Sequence, residues 1–224
     1  ETTLETLEAV KDITATRDRQ VLHVTHMQFS AYGGTGWRDF ESKAPEIAEY
    51  FNRHDQFTMD MGQLIFGSAT TMTADAPLEY GNARLLHAKW SNHDIELEES
   101  SGVVPLVYGR KMPINAVQWA IGLELALLTN NPWQMIMTTD HPNGGPFVNY
   151  PEVVALLMSR AKRDEELASL HELASKRSSL PSIEREMDWN DIAIVTRAAP
   201  AKILGLPEKG HLSLIHISEP TRPY

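Results

Sequence analysis

Val21-Leu-His-Val-Thr-His-Met-Gln-Phe29 runs into the glycine-rich stretch Ser30-Ala-Tyr-Gly-Gly-Thr-Gly-Trp37, and this junction decides the fold class. Nine residues rich in branched and aromatic side chains, closed by glycines, read as a buried strand that ends in a loop. Beyond the loop, Asp39 to Asn52 reads as a helix with Ile47, Tyr50 and Phe51 on one side. Gln56 to Phe66 (QFTMDMGQLIF) reads as a second buried strand. Strand, helix and strand in that order make a βαβ unit, whose strands run parallel.

Working outward, Thr2 to Asp12 places Leu4, Leu7 and Val10 at helical spacing. Ser68 to Lys111 is polar and rich in Gly and Pro, an irregular connection of a length that usually carries function. Pro113 or Asn115 opens the helix NAVQWAIGLELALL, which Asn130, Asn131 and Pro132 stop. Trp133 to Thr139 is a short apolar strand, and Asp140 to Phe147 (DHPNGGPF) a tight loop. From Pro151 to Arg177 the pattern is helical with one break, and DWNDIAIVTRAAPAKILGL is a helix interrupted near Pro200. Three strong strands are too few for a closed eight-stranded barrel, which takes about 250 residues. The expected fold is therefore α/β, a partial TIM barrel. The chain has no initiator Met and opens inside a helical pattern, as a segment from within a longer protein would.

Composition narrows the chemistry. Thirty acidic against 20 basic residues give a formal charge of -10, which argues against nucleic acid, whose phosphates need clustered Lys and Arg. There is no cysteine, so thiolate metal sites, iron–sulfur clusters and disulfides are excluded within this chain. Any metal would be held by His and carboxylate. No run of about 18 apolar residues predicts a membrane span. The acidic, amphipathic start is no signal peptide.

Two places could carry chemistry. In His23-Val-Thr-His26, side chains three apart on a strand face opposite ways, so at most one can point into a barrel interior. Reactive groups of barrels sit at strand C-terminal ends, which favours His26. On spacing alone a hydrogen-bonded core histidine accounts for either residue better than a ligand does. Asp140 stands where an apolar strand runs out into a glycine-rich loop; a carboxylate there can ligate a metal and accept a proton. An Asp that caps the next turn explains it equally well. Met27, Met59, Met61, Met135 and Met137 read as core filler. His54, His87, His93 and His171 read as surface residues.

HVTHMQFSAYGGTGWRDFES, TMDMGQLIFGSATTMTAD, ELEESSGVVPLVY, NAVQWAIGLELALL and TTDHPNGGPF resemble consecutive blocks of one family, the large catalytic subunits of formylmethanofuran dehydrogenases with their bacterial formyl-hydrolase counterparts. TRAAPAKILGL resembles the T-x-x-P-A-x-x-L-G-L signature of the wider amidohydrolase superfamily. The resemblance runs from about Glu1 to Leu212. It implies a distorted metal-dependent amidohydrolase barrel with a dinuclear zinc site and a flanking β domain. In that frame residues 21–29, 56–66 and 133–139 correspond to barrel strands 6, 7 and 8. His26 becomes a zinc ligand, and Asp140 both a zinc ligand and the general acid/base. His23 and His141 become supports. Arg38, in the loop after strand 6, and Asn143, in the loop after Asp140, become substrate-binding candidates. A salt bridge with Asp39 or Glu41 accounts for Arg38 equally well. The family's H-x-H pair, carboxylated Lys and strand 5 His have no counterpart here, so the zinc ligand set is incomplete.

The resemblance further implies a cytoplasmic enzyme component that interconverts N-formylmethanofuran with formate and methanofuran. Its partners would be the other subunits of a formylmethanofuran dehydrogenase or formyltransferase/hydrolase complex. A dihydroorotase-type or N-acyl-amino-acid-deacylase-type amidohydrolase is the alternative enzyme. A truncated, non-catalytic chain is the alternative outside enzymology. Residues 1–212 are expected to be the C-terminal part of the barrel domain. Residues 213–224 read as a translated sequencing adaptor and are set aside from fold reasoning.

Overall fold

The computed structural model describes residues 3–14, 22–73 and 102–211. In chain order the elements begin with helix α1 (Thr3–Thr14) and strands β1 (Leu22–Val24), β2 (Tyr32–Gly33) and β3 (Glu41–Ser42). Helix α2 (Ala44–Asn52) and strands β4 (Phe57–Asp60), β5 (Gly67–Thr73) and β6 (Gly102–Tyr108) follow. Then come helix α3 (Pro113–Leu128), strand β7 (Met135–Ile136), and helices α4 (Tyr150–Met158), α5 (Arg160–Ser169) and α6 (Leu173–Lys176). The described chain closes with α7 (Trp189–Ala193) and α8 (Ala199–Ile203), joined by a π-helical turn, Ile194–Ala198.

The expected parallel strands form one sheet in the order β1-β4-β7. His23 lies opposite Thr58, and Met59 opposite Met135. Backbone bonding continues past β4. The amides of Met61, Gln63 and Ile65 donate to the carbonyls of Ile136, Thr138 and Gly144 at 3.0, 2.8 and 2.8 Å. Residues 57–65 thus stay bonded along the β7 side, as strand to Asp60 and then through a left-handed Gly62, and form a buried lane. The five methionines expected to be core filler are all buried in it or beside it.

Several expected elements need correction. The strand from Val21 does not reach Phe29: it stops at Val24, His26 turns with φ 53°, and Met27–Ser30 coils into a 3-10 turn that buries Met27 and Gln28. The helix expected from Asp39 begins at Ala44, because Pro45 is tolerated only in a first turn. Glu41 and Ser42 instead pair with Tyr32 and Gly33 as a hairpin. The stretch read as irregular between Ser68 and Lys111 contains the antiparallel pair β5–β6, registered from Gly67 opposite Tyr108 to Thr73 opposite Gly102. Its intervening residues 74–101, with His87 and His93, lie outside the described residues, as do residues 212–224. The helix from Pro151 breaks twice, not once. Ser159 caps α5 by accepting from the Lys162 amide, and a second break falls between α5 and α6. The last helix is interrupted near Pro200 as expected, by the π turn Ile194–Ala198 just ahead of it. His54 and His171 are half-buried, and the His54 ring stacks on Tyr50 at 4.2 Å.

Helix α3 explains how the core closes. It is apolar nearly all round and buried from Val117 to Leu127 save Gln118, as a helix surrounded by protein must be. It packs against α2 and α6 and against the 3-10 turn after β1. Gly122 lets it come close: a Cβ there would lie 2.3 Å from Oε1 of Gln63. Among the described residues no helix is long and apolar enough to cross a membrane.

A candidate metal and acid–base site

The sheet delivers its chemistry at the C-terminal ends of its strands. Asp60, the last residue of β4, is 4% exposed, and its carboxylate joins all three strands. Its Oδ1 lies 2.9 Å from His26 Nδ1 and accepts from the Thr138 hydroxyl at 2.6 Å. Its Oδ2 lies 3.3 Å from Nε2 of His23, whose Nδ1 is 3.0 Å from the Thr58 hydroxyl. Because β1 stops at Val24, the strand alternation no longer separates the two histidines, and both reach Asp60.

His26 then points its other nitrogen at the second strand end. Nε2 lies 2.9 Å from Asp140 Oδ1. Both residues have a left-handed backbone, φ 53° for His26 and 48° for Asp140. That conformation is uncommon outside glycine and tends to be held where a site requires it. The Asp140 and Asp60 carboxylates raise the His26 pKa to about 10 against the opposing effect of burial. Burial alone would raise Asp60, but hydrogen bonds from His23, His26 and Thr138 hold its carboxyl below the usual range.

Asn143, a substrate-binding candidate in the sequence, donates from Nδ2 to Asp140 Oδ1 at 3.1 Å. His141 turns its exposed ring edge-on to Phe147, and its Nδ1 accepts from the Phe147 amide at 3.3 Å. Arg38 is exposed and makes no hydrogen bond or ion pair among the described residues. Neither salt bridge weighed for it forms. Asp39 instead accepts from the Thr35 amide and hydroxyl and the Gly36 amide, each at 2.7 Å, and Glu41 pairs with Lys43.

Reading the sequence missed Asp60, Thr138 and Gly62. A lone Asp inside FTMDMGQLIF was the available signal, since a carboxylate on a fully buried strand needs partners. Gly62 has φ 58°, and a Cβ there would press to 3.0 Å from His26 Cα and Cβ.

Could this arrangement hold a metal? Two ligands of one tetrahedral zinc stand about 3.3 Å apart when each bond is about 2.0–2.1 Å. His26 Nε2 and Asp140 Oδ1, at 2.9 Å, would have to open by only a few tenths of an ångström. The donor types also suit zinc. Among the described residues, however, no group of three or more His, Cys, Asp or Glu side chains could hold an ion. The pair fits as part of a ligand shell and does not complete one.

A model of the amidohydrolase family matches residues 1–214. The chain belongs to the amidohydrolase family. It is 50% identical over 220 residues to protein FwdA of Methanocaldococcus jannaschii, covering 96% of this chain and 39% of that protein. It is 41% identical over 196 residues to the FhcA component of the formyltransferase/hydrolase complex Fhc of Methylorubrum extorquens, covering 85% and 36%. It also matches a chain in the crystal structure of that complex, FhcABCD with methylofuran, with a TM-score of 0.75 and 40% identity. That match covers 92% of this chain and 38% of the other. This amidohydrolase chain thus spans under two fifths of the relatives' length, and its three parallel strands with surrounding helices are an α/β amidohydrolase fold.

Proposed function

We propose that this chain is part of the large catalytic subunit of a formylmethanofuran dehydrogenase or formyltransferase/hydrolase complex, in which it helps hydrolyse, or form, an N-formyl C–N bond. In this reading its strands are 6 to 8 of a TIM barrel whose other strands lie elsewhere in the parent polypeptide. Residues 1–212 are barrel domain and 213–224 a non-native tail. The parent works in the cytoplasm with the other subunits of its complex. The observation that carries the reading is the His26 Nε2 to Asp140 Oδ1 approach at the C-terminal ends of two parallel strands.

His26 and Asp140 would hold zinc together with ligands from outside this chain. Bound zinc supplies Lewis acidity and lowers the pKa of water. Asp140 would take a proton and return it to the departing amine. Asn143, already bonded to Asp140, would keep that carboxylate turned toward the substrate. Arg38 offers a planar fork with no protein partner among the described residues, a match for formate. A methanofuran-type formamide is the substrate the relatives' names favour.

The test is a substrate panel on the intact zinc-loaded parent protein: an N-formyl amine of the furan type, dihydroorotate, and an N-acetyl amino acid. Turnover of the formyl amine alone is expected. Turnover of either other substrate with none of the formyl amine would replace this reading with the corresponding amidohydrolase.

A further inference from the structure

We propose that Asp60 is a positioning residue that sets the ring orientation and tautomer of His26, so that His26 Nε2 is presented to Asp140 and the metal. The inference rests on the reading of His26 as a ligand and goes beyond it, since it concerns what makes His26 competent. A histidine that binds metal through one nitrogen needs the other committed to an acceptor, which fixes the tautomer and the ring plane. His26 Nδ1 has such an acceptor in Asp60 Oδ1 at 2.9 Å, while Nε2 faces Asp140 Oδ1 at 2.9 Å.

The surroundings of Asp60 favour this role over a purely structural one. A buried carboxylate is weak evidence for stability, because an apolar residue of similar volume usually does as well. Asp60 sits on the middle strand, where both of its oxygens are engaged from neighbouring strands. The Thr138 hydroxyl donates to Oδ1 and also accepts from the Gly62 amide at 3.0 Å, and His23 meets Oδ2. These contacts immobilise the carboxylate. His26 has a left-handed backbone, and Gly62 packs against its Cα and Cβ. The ring is thus fixed at its root by Gly62 and at Nδ1 by Asp60, which turns Nε2 toward Asp140.

The experiment uses the intact parent protein with Asp60→Ala, Asp60→Asn, Thr138→Val and His26→Ala. Zinc affinity is measured by competition with a chelator, alongside kcat, KM and Tm. Asp60→Ala is expected to weaken zinc binding by about 10- to 100-fold and to lower kcat with KM nearly unchanged. Asp60→Asn should recover most of the affinity, because its amide oxygen can still accept from Nδ1–H. Thr138→Val should lower Tm while keeping zinc. Zinc affinity and kcat of Asp60→Ala within twofold of the parent would overturn the proposal. If His26→Ala also keeps its zinc, the metal reading itself falls; if His26→Ala loses zinc, only the role of Asp60 does. Should Asp60→Ala not fold, long-range 1H–15N spectra of the zinc-loaded parent decide. A proton on His26 Nδ1 is expected, and one on Nε2 overturns it.

Discussion

Glu124 lies on α3, fully buried, where Ser42 donates its hydroxyl to one oxygen and Ser179 its amide to the other, both at 2.5 Å. Burial raises its pKa to about 6, and the two donors do not offset it fully. The folded protein therefore holds this proton at a pH where the unfolded chain has released it. The resulting stability is complete below the unfolded value near 4.5 and is lost as pH rises through about 6. The shift corresponds to roughly 2 kcal/mol over that window. Glu124→Gln, with its carbonyl toward Ser179 and its amide toward Ser42, should remove this dependence. Urea unfolding of both proteins at pH 4.5, 5.5 and 6.5 checks it: their stability difference should change with pH in that sense, and a constant difference would refute the assignment. Glu124 was not legible in the sequence, because IGLELALL gives no hint of which partners a helix carboxylate will find. Asp140 could be singled out, as an acidic residue where an apolar strand meets a glycine-rich loop, but local sequence left a metal ligand and a turn cap equally open. Asp60 went unread: a carboxylate in an apolar strand needs partners, but their identity depended on where β1 would stop.

At the scale of elements, periodicity located α3, the βαβ order and the parallel sheet, because these follow from which residues must be buried. It failed where a single residue overrides the pattern. Val24 to Phe29 keeps a strand-like composition yet turns at His26, since Gln28 is needed inside, where its Oε1 accepts from the Leu64 amide at 2.9 Å. The β5–β6 pair was missed because its register rests on backbone bonding between segments some thirty residues apart. The approach of α3 to the buried lane also makes a prediction. Gly122→Ala would gain about 1 kcal/mol of helix propensity. It would also push a methyl to 2.3 Å from Gln63 Oε1, whose side chain is held by the carbonyls of Leu64 and Trp119. Overpacking of this kind costs about 1–3 kcal/mol, so steric cost should win. A net loss of roughly 1–2 kcal/mol by urea denaturation is expected; a stabilised variant would show that α3 stands further from Gln63.

For the whole molecule, the decisive fact is proportion. The chain aligns with 39% of FwdA and brings His26 and Asp140, the two proposed metal donors, into contact, with no group of three among its described residues. On its own it should therefore bind no zinc pair, because affinity depends on the number and geometry of ligands. Elemental analysis after gel filtration of the purified chain should find well under one zinc per chain. Two tightly held ions would mean that the ligand shell is complete without the rest of the parent polypeptide. In the intact parent the same two donors should become indispensable. Asp140→Asn keeps the side chain's shape and its place beside His26 and Asn143 while removing the charge and the proton acceptor. General acid–base help alone is worth about 10²–10⁴ in rate. The measurement that bears most directly on the account is thus kcat and zinc content of the Asp140→Asn parent protein with an N-formyl amine substrate. A fall in kcat of at least about a hundredfold is expected, with a smaller change in KM. Near-normal turnover with a full complement of zinc would contradict it, and the kinship to amidohydrolases would then describe the fold of this chain and not its chemistry.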